Sequence, residues 1–153
     1  MRYWLMKSEP EECSIDDALA AAQRVTPWSG VRNYQARNFM RDAMRPADGV
    51  LFYHSGCAVP GIAGLAEVAS AAYPDPTQFD RRSPYFDPGS RRDAPRWFSV
   101  DVRVTKKTRL LSLAELRRRK PLAAMQVLRR GSRLSITPVS AAEWAYITGK
   151  LLA

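Results

Sequence analysis

The sequence predicts a mixed α/β (α+β) fold built on a curled, largely antiparallel sheet. Three observations lead there. Short apolar or alternating runs recur at residues 3–6, 50–53, 62–69 and 97–104, each with strand character. Helix-start signatures at Ser14, Ser112 and Ser140 punctuate the chain around them. The strands also have hairpin-like neighbours, although periodicity alone does not separate an open sheet from a barrel.

The first strand, 3–6, is aromatic and apolar, and Lys7-Ser8-Glu9-Pro10 ends it because Pro10 cannot donate to a ladder. Ser14 is placed as an N-cap, with Asp16 and Asp17 in a first turn whose dipole favours negative charge. Ile15, Ala18, Leu19 and Ala22 recur at helical spacing and carry that helix to about Arg24. A short helix is expected at 35–44. Asp48-Gly49 turns the chain into the strand 50–53, and Gly61 and Gly64 mark a bend or close approach in the strand 62–69. The stretch 73–95 is rich in proline yet carries Tyr73, Phe79, Tyr85 and Phe86. Disordered linkers are poor in aromatics, so an ordered surface loop is expected, with Tyr73 and Phe79 packing it. Val100, Val102 and Val104 then alternate with Ser99, Asp101 and Arg103, the pattern of a half-buried antiparallel strand. Ser112-Leu113-Ala114-Glu115 opens a helix, and Pro121 starts another that Gly131 closes. Residues 133–136 form a last strand stopped by Pro138, and a final helix follows Ser140 with Trp144, Ile147 and Leu151 inside.

At 153 residues the chain is read as one domain, 1–153, long enough to bury roughly two-thirds of its unfolded surface without a metal or disulfide staple. Cys13 and Cys57 match neither a disulfide framework nor a zinc site, which predicts a reduced, cytoplasmic setting with no cofactor and no metal. No apolar run is long enough to span a bilayer, and Lys7, Ser8 and Glu9 interrupt any signal-peptide core. No coiled-coil pattern is present, so a monomer is the default. The net charge of +9 with a pI near 10.1 points to a polyanionic partner, DNA or RNA. The cations cluster at Arg81-Arg82, Arg91-Arg92, Lys106-Lys107, 117–120, and Arg129-Arg130 with Arg133. Solvated arginine faces are the plain alternative.

Residues 26–39 are the most informative stretch. Trp28, Arg32, Asn33, Tyr34, Arg37 and Asn38 share a segment opened by Pro27 and bent at Gly30, with no apolar face from Trp28 to Asn33 at either period. A flat indole beside a carboxamide suits a planar, hydrogen-bonding ligand. Trp28 could equally fill a gap between loop and core. Catalysis is disfavoured. His54 is the single histidine, and in a strand its neighbour Ser55 points to the other face, badly placed for proton transfer. Neither a nucleophile elbow nor a phosphate-binding glycine loop is present.

The runs Tyr3 to Pro10, Trp28 to Phe39, Phe52 to Ser55, Tyr73 to Phe79, Pro95-Arg96-Trp97 and Gly131 to Ser135 together resemble the EVE domain family over essentially the whole chain. One departure is Ser29, where the family commonly has Asp. The resemblance implies a PUA-like pseudo-barrel and a non-catalytic reader of modified bases, such as methylated or hydroxymethylated cytosine, in DNA or RNA. It implies a stacking wall at Trp28 and base-edge reading by Asn33. Lys7, Ser8, His54 and Ser55 would meet at the pocket rim, and Trp97 is either a second wall or core. Arg32, Ser132, Arg133 and Ser135, with Arg129 and Arg130, would contact phosphate or base. The competing expectation is a general RNA-binding module acting through its basic surface without base selectivity.

Overall fold

The computed structural model describes residues 1–152. Among the described residues eight strands form two sheets: β1 (Tyr3–Ser8), β2 (Val25–Pro27), β3 (Gly49–His54), β4 (Gly61–Val68), β5 (Tyr73–Pro74), β6 (Phe98–Ser99), β7 (Asp101–Ser112) and β8 (Ile136–Val139). Five short helices, α1 (Pro10–Cys13), α2 (Ile15–Ala20), α3 (Tyr34–Asn38), α4 (Leu113–Arg117) and α5 (Ala141–Tyr146), lie between and after them. The main sheet runs β2-β7-β4-β3-β1-β8, while β5 and β6 pair separately. Its ladders are antiparallel except for β1 against β3. The mixed, mostly antiparallel sheet agrees with expectation. Its hydrogen bonding runs from edge β2 to edge β8 and does not close into a barrel.

Strand alternation explains the two-sided core. Trp4, Met6, Val50 and Phe52 point to one face, where Ile15, Ala18, Trp28, Ala36 and Met40 cover them. Leu5, Leu51 and Tyr53 point to the other, under Leu116, Leu122, Val127 and Ile147. Val100, Val102 and Val104 are buried as their alternation requires. A Cβ at Gly61 would collide with the Leu111 carbonyl, the close approach that the glycine in β4 foretold. Ser14 and Ser140 both form capping boxes, with Asp17 and Glu143. Ser112 caps α4 alone, because the Glu115 carboxylate is drawn to Arg109 and Arg119 instead.

Several boundaries move. The helix expected to reach Arg24 stops at Ala20, and Gln23 and Arg24 adopt positive φ before an edge strand, β2, that the turn-rich sequence concealed. The helix after Pro121 is only two short turns, Lys120–Leu122 and Gln126–Leu128. The last strand starts at Ile136 rather than ending there, and Pro138 sits inside it. That is tolerated because β8 is an edge with one partner, β1.

Candidate functional site

The parallel pair fixes where a site can form. β1 and β3 run in register from Tyr3 opposite Gly49 to Ser8 opposite His54, so both strands end together. A cavity of about 750 Å³ opens at this end. Lys7 and Ser8 from β1, and Ser55 and Gly56 just after β3, form one part of its wall. The loop from Thr26 to Asn33 forms a second, Glu9, Glu12 and Cys13 a third, and Tyr85 a fourth. Arg133 and Ser135 complete it.

A buried carboxylate shapes the loop. Asp75 is wholly buried and accepts from the Gly30 N–H at 2.7 Å, Arg32 Nη1 at 3.1 Å, and the Thr77 N–H and hydroxyl at 2.8 and 2.6 Å. Gly30 holds φ +81°, and a Cβ there would meet the Tyr85 ring at 2.7 Å, so this turn needs glycine on both counts. Arg32 spends its remaining donors within the protein: Nη1 on the Val31 carbonyl, Nη2 on Thr77 Oγ1, and Nε with Nη2 on the Tyr85 carbonyl. Its plane also lies over the rings of Tyr85 and Trp97, 5.6 and 5.2 Å from their centroids. All five guanidinium N–H groups are committed. The expectation of a phosphate contact at Arg32 is therefore revised: it clamps the loop to the segment around Asp75.

Trp28 is only 7% exposed. Its N–H donates to the Val100 carbonyl at 2.8 Å, and its ring meets Phe52 edge-on at 5.5 Å while lining the cavity. The ring thus fills the gap between loop and core and also borders the cavity. Asn33 caps α3, its Oδ1 accepting from the Ala36 N–H at 3.0 Å, which leaves the amide NH₂ end for an outside partner. Lys7 is half-buried, and desolvation lowers its pKa. Its Nζ donates to the Ser132 carbonyl at 3.4 Å and ties β1 to the segment carrying Arg133. Ser8 Oγ donates to the Cys13 carbonyl at 2.6 Å. The Tyr85 hydroxyl donates to Glu12 at 2.7 Å, and that bond, followed by burial, pushes the phenol up to about 12.

Of the residues singled out in the sequence, Lys7, Ser8, Trp28, Arg32, Asn33, Ser55, Arg133 and Ser135 border this one cavity. His54 does not. Its Nε2 accepts from the Ile15 N–H at 3.0 Å, its ring packs edge-on to Phe52, and desolvation lowers its pKa. Trp97 is also elsewhere: it stacks on Tyr34 at 4.9 Å and donates to Asp87 at 2.7 Å, bracing the long loop. Ser132 lends only its carbonyl to Lys7, and Arg129 and Arg130 are exposed beyond the cavity wall. Tyr85, Glu9, Glu12 and Asp75 were missed as site residues. The aromatic content of the long loop hinted at Tyr85, but nothing local said which aromatic returns to the cavity.

Comparison with known proteins agrees with this architecture. The EVE domain model matches residues 2–150. Human thymocyte nuclear protein 1 is 44% identical over 163 residues, covering 95% of this chain and 72% of the relative. The crystal structure of the human THYN1 protein in complex with 5-methylcytosine-containing DNA superposes with a TM-score of 0.91 at 42% identity, covering 97% of this chain and 96% of that one. A hypothetical protein from Leishmania major gives a TM-score of 0.91 at 49% identity, covering 97% and 93%. This chain belongs to the EVE domain family.

Proposed function

We propose that this chain binds nucleic acid and reads a modified base, a methylated or hydroxymethylated cytosine, in the cavity at the ends of β1 and β3, without altering it. One observation carries the reading. The cavity, walled by the Trp28 ring and rimmed by Asn33, Lys7, Ser55, Arg133 and Ser135, sits in a chain 42% identical over nearly its whole length to a protein crystallised with 5-methylcytosine DNA. A base stacked on an aromatic side chain gains about 1–3 kcal/mol, and flipping it from a duplex costs a few. The pocket alone thus balances near zero on duplex DNA, and the +9 charge supplies the remaining, salt-dependent attraction. An added methyl contributes only about 0.8 kcal/mol of apolar burial, so selectivity is modest. Binding without chemistry is supported by His54, whose Nε2 lone pair is spent on the Ile15 N–H.

The test is a titration of single-stranded DNA and RNA carrying cytosine, 5-methylcytosine, 5-hydroxymethylcytosine, adenine or N6-methyladenine, at two salt concentrations. A preference for one modified cytosine that survives added salt, and that Trp28→Ala abolishes while salt-dependent background remains, supports the pocket. Trp28→Phe, which keeps a ring against Phe52, separates loss of the wall from loss of the fold. Equal binding of all strands that fades with salt would leave only a basic surface.

A further inference from the structure

We infer that the bound strand leaves the cavity along one part of its rim only, across the arginine lobe of residues 117–133, so that the read base lies at one end of the footprint. This rests on the base-reading function above. The lobe is defined by what it lacks. Between Glu115 and Glu143 the chain carries no Asp or Glu but seven Lys and Arg. Arg117 Nη2 donates to the Leu128 carbonyl at 3.4 Å, which sets the run 117–120 beside Arg129 and Arg130. The Gly131 turn, at φ +74°, then brings Arg133 and Ser135 to the cavity wall, and Lys7 holds that turn at the Ser132 carbonyl. Arg117, Arg118, Lys120, Arg129, Arg130 and Arg133 are exposed and form no ion pair among the described residues. A phosphate arriving there breaks no internal pair and meets no carboxylate in the same segment.

The other parts of the rim carry carboxylates. Between Lys7 and Arg24 lie Glu9, Glu11, Glu12, Asp16 and Asp17 with no Lys or Arg, and Glu9 and Glu12 face the cavity. Lys107 covers Asp16 alone, at 2.7 Å. A phosphate within a Debye length of that segment, about 10 Å at 0.1 M salt, is repelled. Behind Tyr85 the two signs are mixed: Arg91 pairs with Asp93 and Arg96 with Asp87, Arg92 lies over the Phe79 ring, and Arg81 and Arg82 are next to Asp80 in sequence. The 117–133 lobe is the part next to the cavity wall whose exposed cations share their segment with no carboxylate.

Single-stranded oligonucleotides with one 5-methylcytosine at the 5′ end, the centre or the 3′ end distinguish the cases, each against its plain counterpart. One end-placed strand should bind within about twofold of the central one, while the other loses about tenfold and shows a shallower salt dependence. The triple variant Arg117→Ala, Arg118→Ala, Lys120→Ala should lower the salt slope by roughly 2, about 0.7 per lost single-strand contact, and keep the modified-to-plain ratio. Equal weakening of both end-placed strands, or a salt slope that responds to Arg81→Ala with Arg82→Ala and not to the lobe variant, overturns the one-sided footprint while sparing the pocket. The absence of any modified-to-plain difference in the unsubstituted protein overturns the base-reading function, and the inference with it.

Discussion

Two arginine walls border the cavity, one built around Arg32 and the other around Arg133, and the same side chain serves opposite ends in them. Arg32 lies against the wholly buried Asp75 with every donor satisfied and its side chain 22% exposed. Arg133 stands exposed in a segment without a single carboxylate. The difference lies in the carboxylates, not in the arginines. A guanidinium beside a buried acid becomes part of the scaffold, because separating the pair would strand a charge in low dielectric. One without an acid nearby remains free for a phosphate. A charge count of +9 does not distinguish the two kinds.

The sharpest way to break this comparison is to remove the buried partner. Asp75→Ala should cost about 3 kcal/mol or more in denaturant unfolding, whereas Arg133→Ala should stay within about 0.5 kcal/mol. Equal costs would mean that the Arg32 clamp is no more structural than the exposed lobe. Next in size is Gly30→Ala, which combines a positive φ with a collision against Tyr85. A destabilisation of about 2 kcal/mol is expected, together with weaker modified-base binding, read from unfolding and titration on the same samples. The complementary change on the other wall is Arg129→Ala with Arg130→Ala and Arg133→Ala. It should leave the melting temperature nearly unmoved and reduce the salt slope of binding by roughly 2. A large fall in stability there would make the lobe part of the scaffold as well.

The smallest effect concerns His54, which lies outside the cavity wall against Ile15 and Phe52. Its neutral ring accepts the Ile15 N–H; burial holds its pKa below the ordinary 6.5, with Asp16 raising and Lys107 lowering it in smaller measure. The stability gained is full above 6.5 and is lost as pH falls through the lower folded value. The melting temperature should therefore drop between about pH 7 and about pH 5, and His54→Asn should flatten the His54 part of that drop. An unchanged profile in the variant would show that other groups govern it.

Much of this was legible locally. Ser14, Ser112 and Ser140 announced helix starts because a cap needs only its own next three residues. Val100, Val102 and Val104 announced a buried face because strand period is a local property. The Trp28–Asn33 loop stood out because its composition suited no core element, and it does wall the cavity. His54 was placed on the rim and Trp97 was left between wall and core for one reason: each is captured by a partner distant in sequence, Ile15 in one case and Tyr34 in the other. The β2 edge was hidden because a strand that pairs with only one neighbour carries little pattern of its own.

Neighbouring residues alone carry the family resemblance, the helix starts, the alternating core strands, the basic charge and the loop that walls the cavity. Those are properties of neighbouring residues, and short-range sterics, capping and hydrophobic periodicity decide them. Which charges are committed within the protein follows from contacts between distant parts of the chain. Arg32 meets Asp75 across 43 positions, Lys7 meets the Ser132 carbonyl across 125, and Glu12 meets Tyr85 across 73. Whether a side chain is scaffold or free surface depends on the partner that chain folding brings to it, and on the dielectric in which they meet.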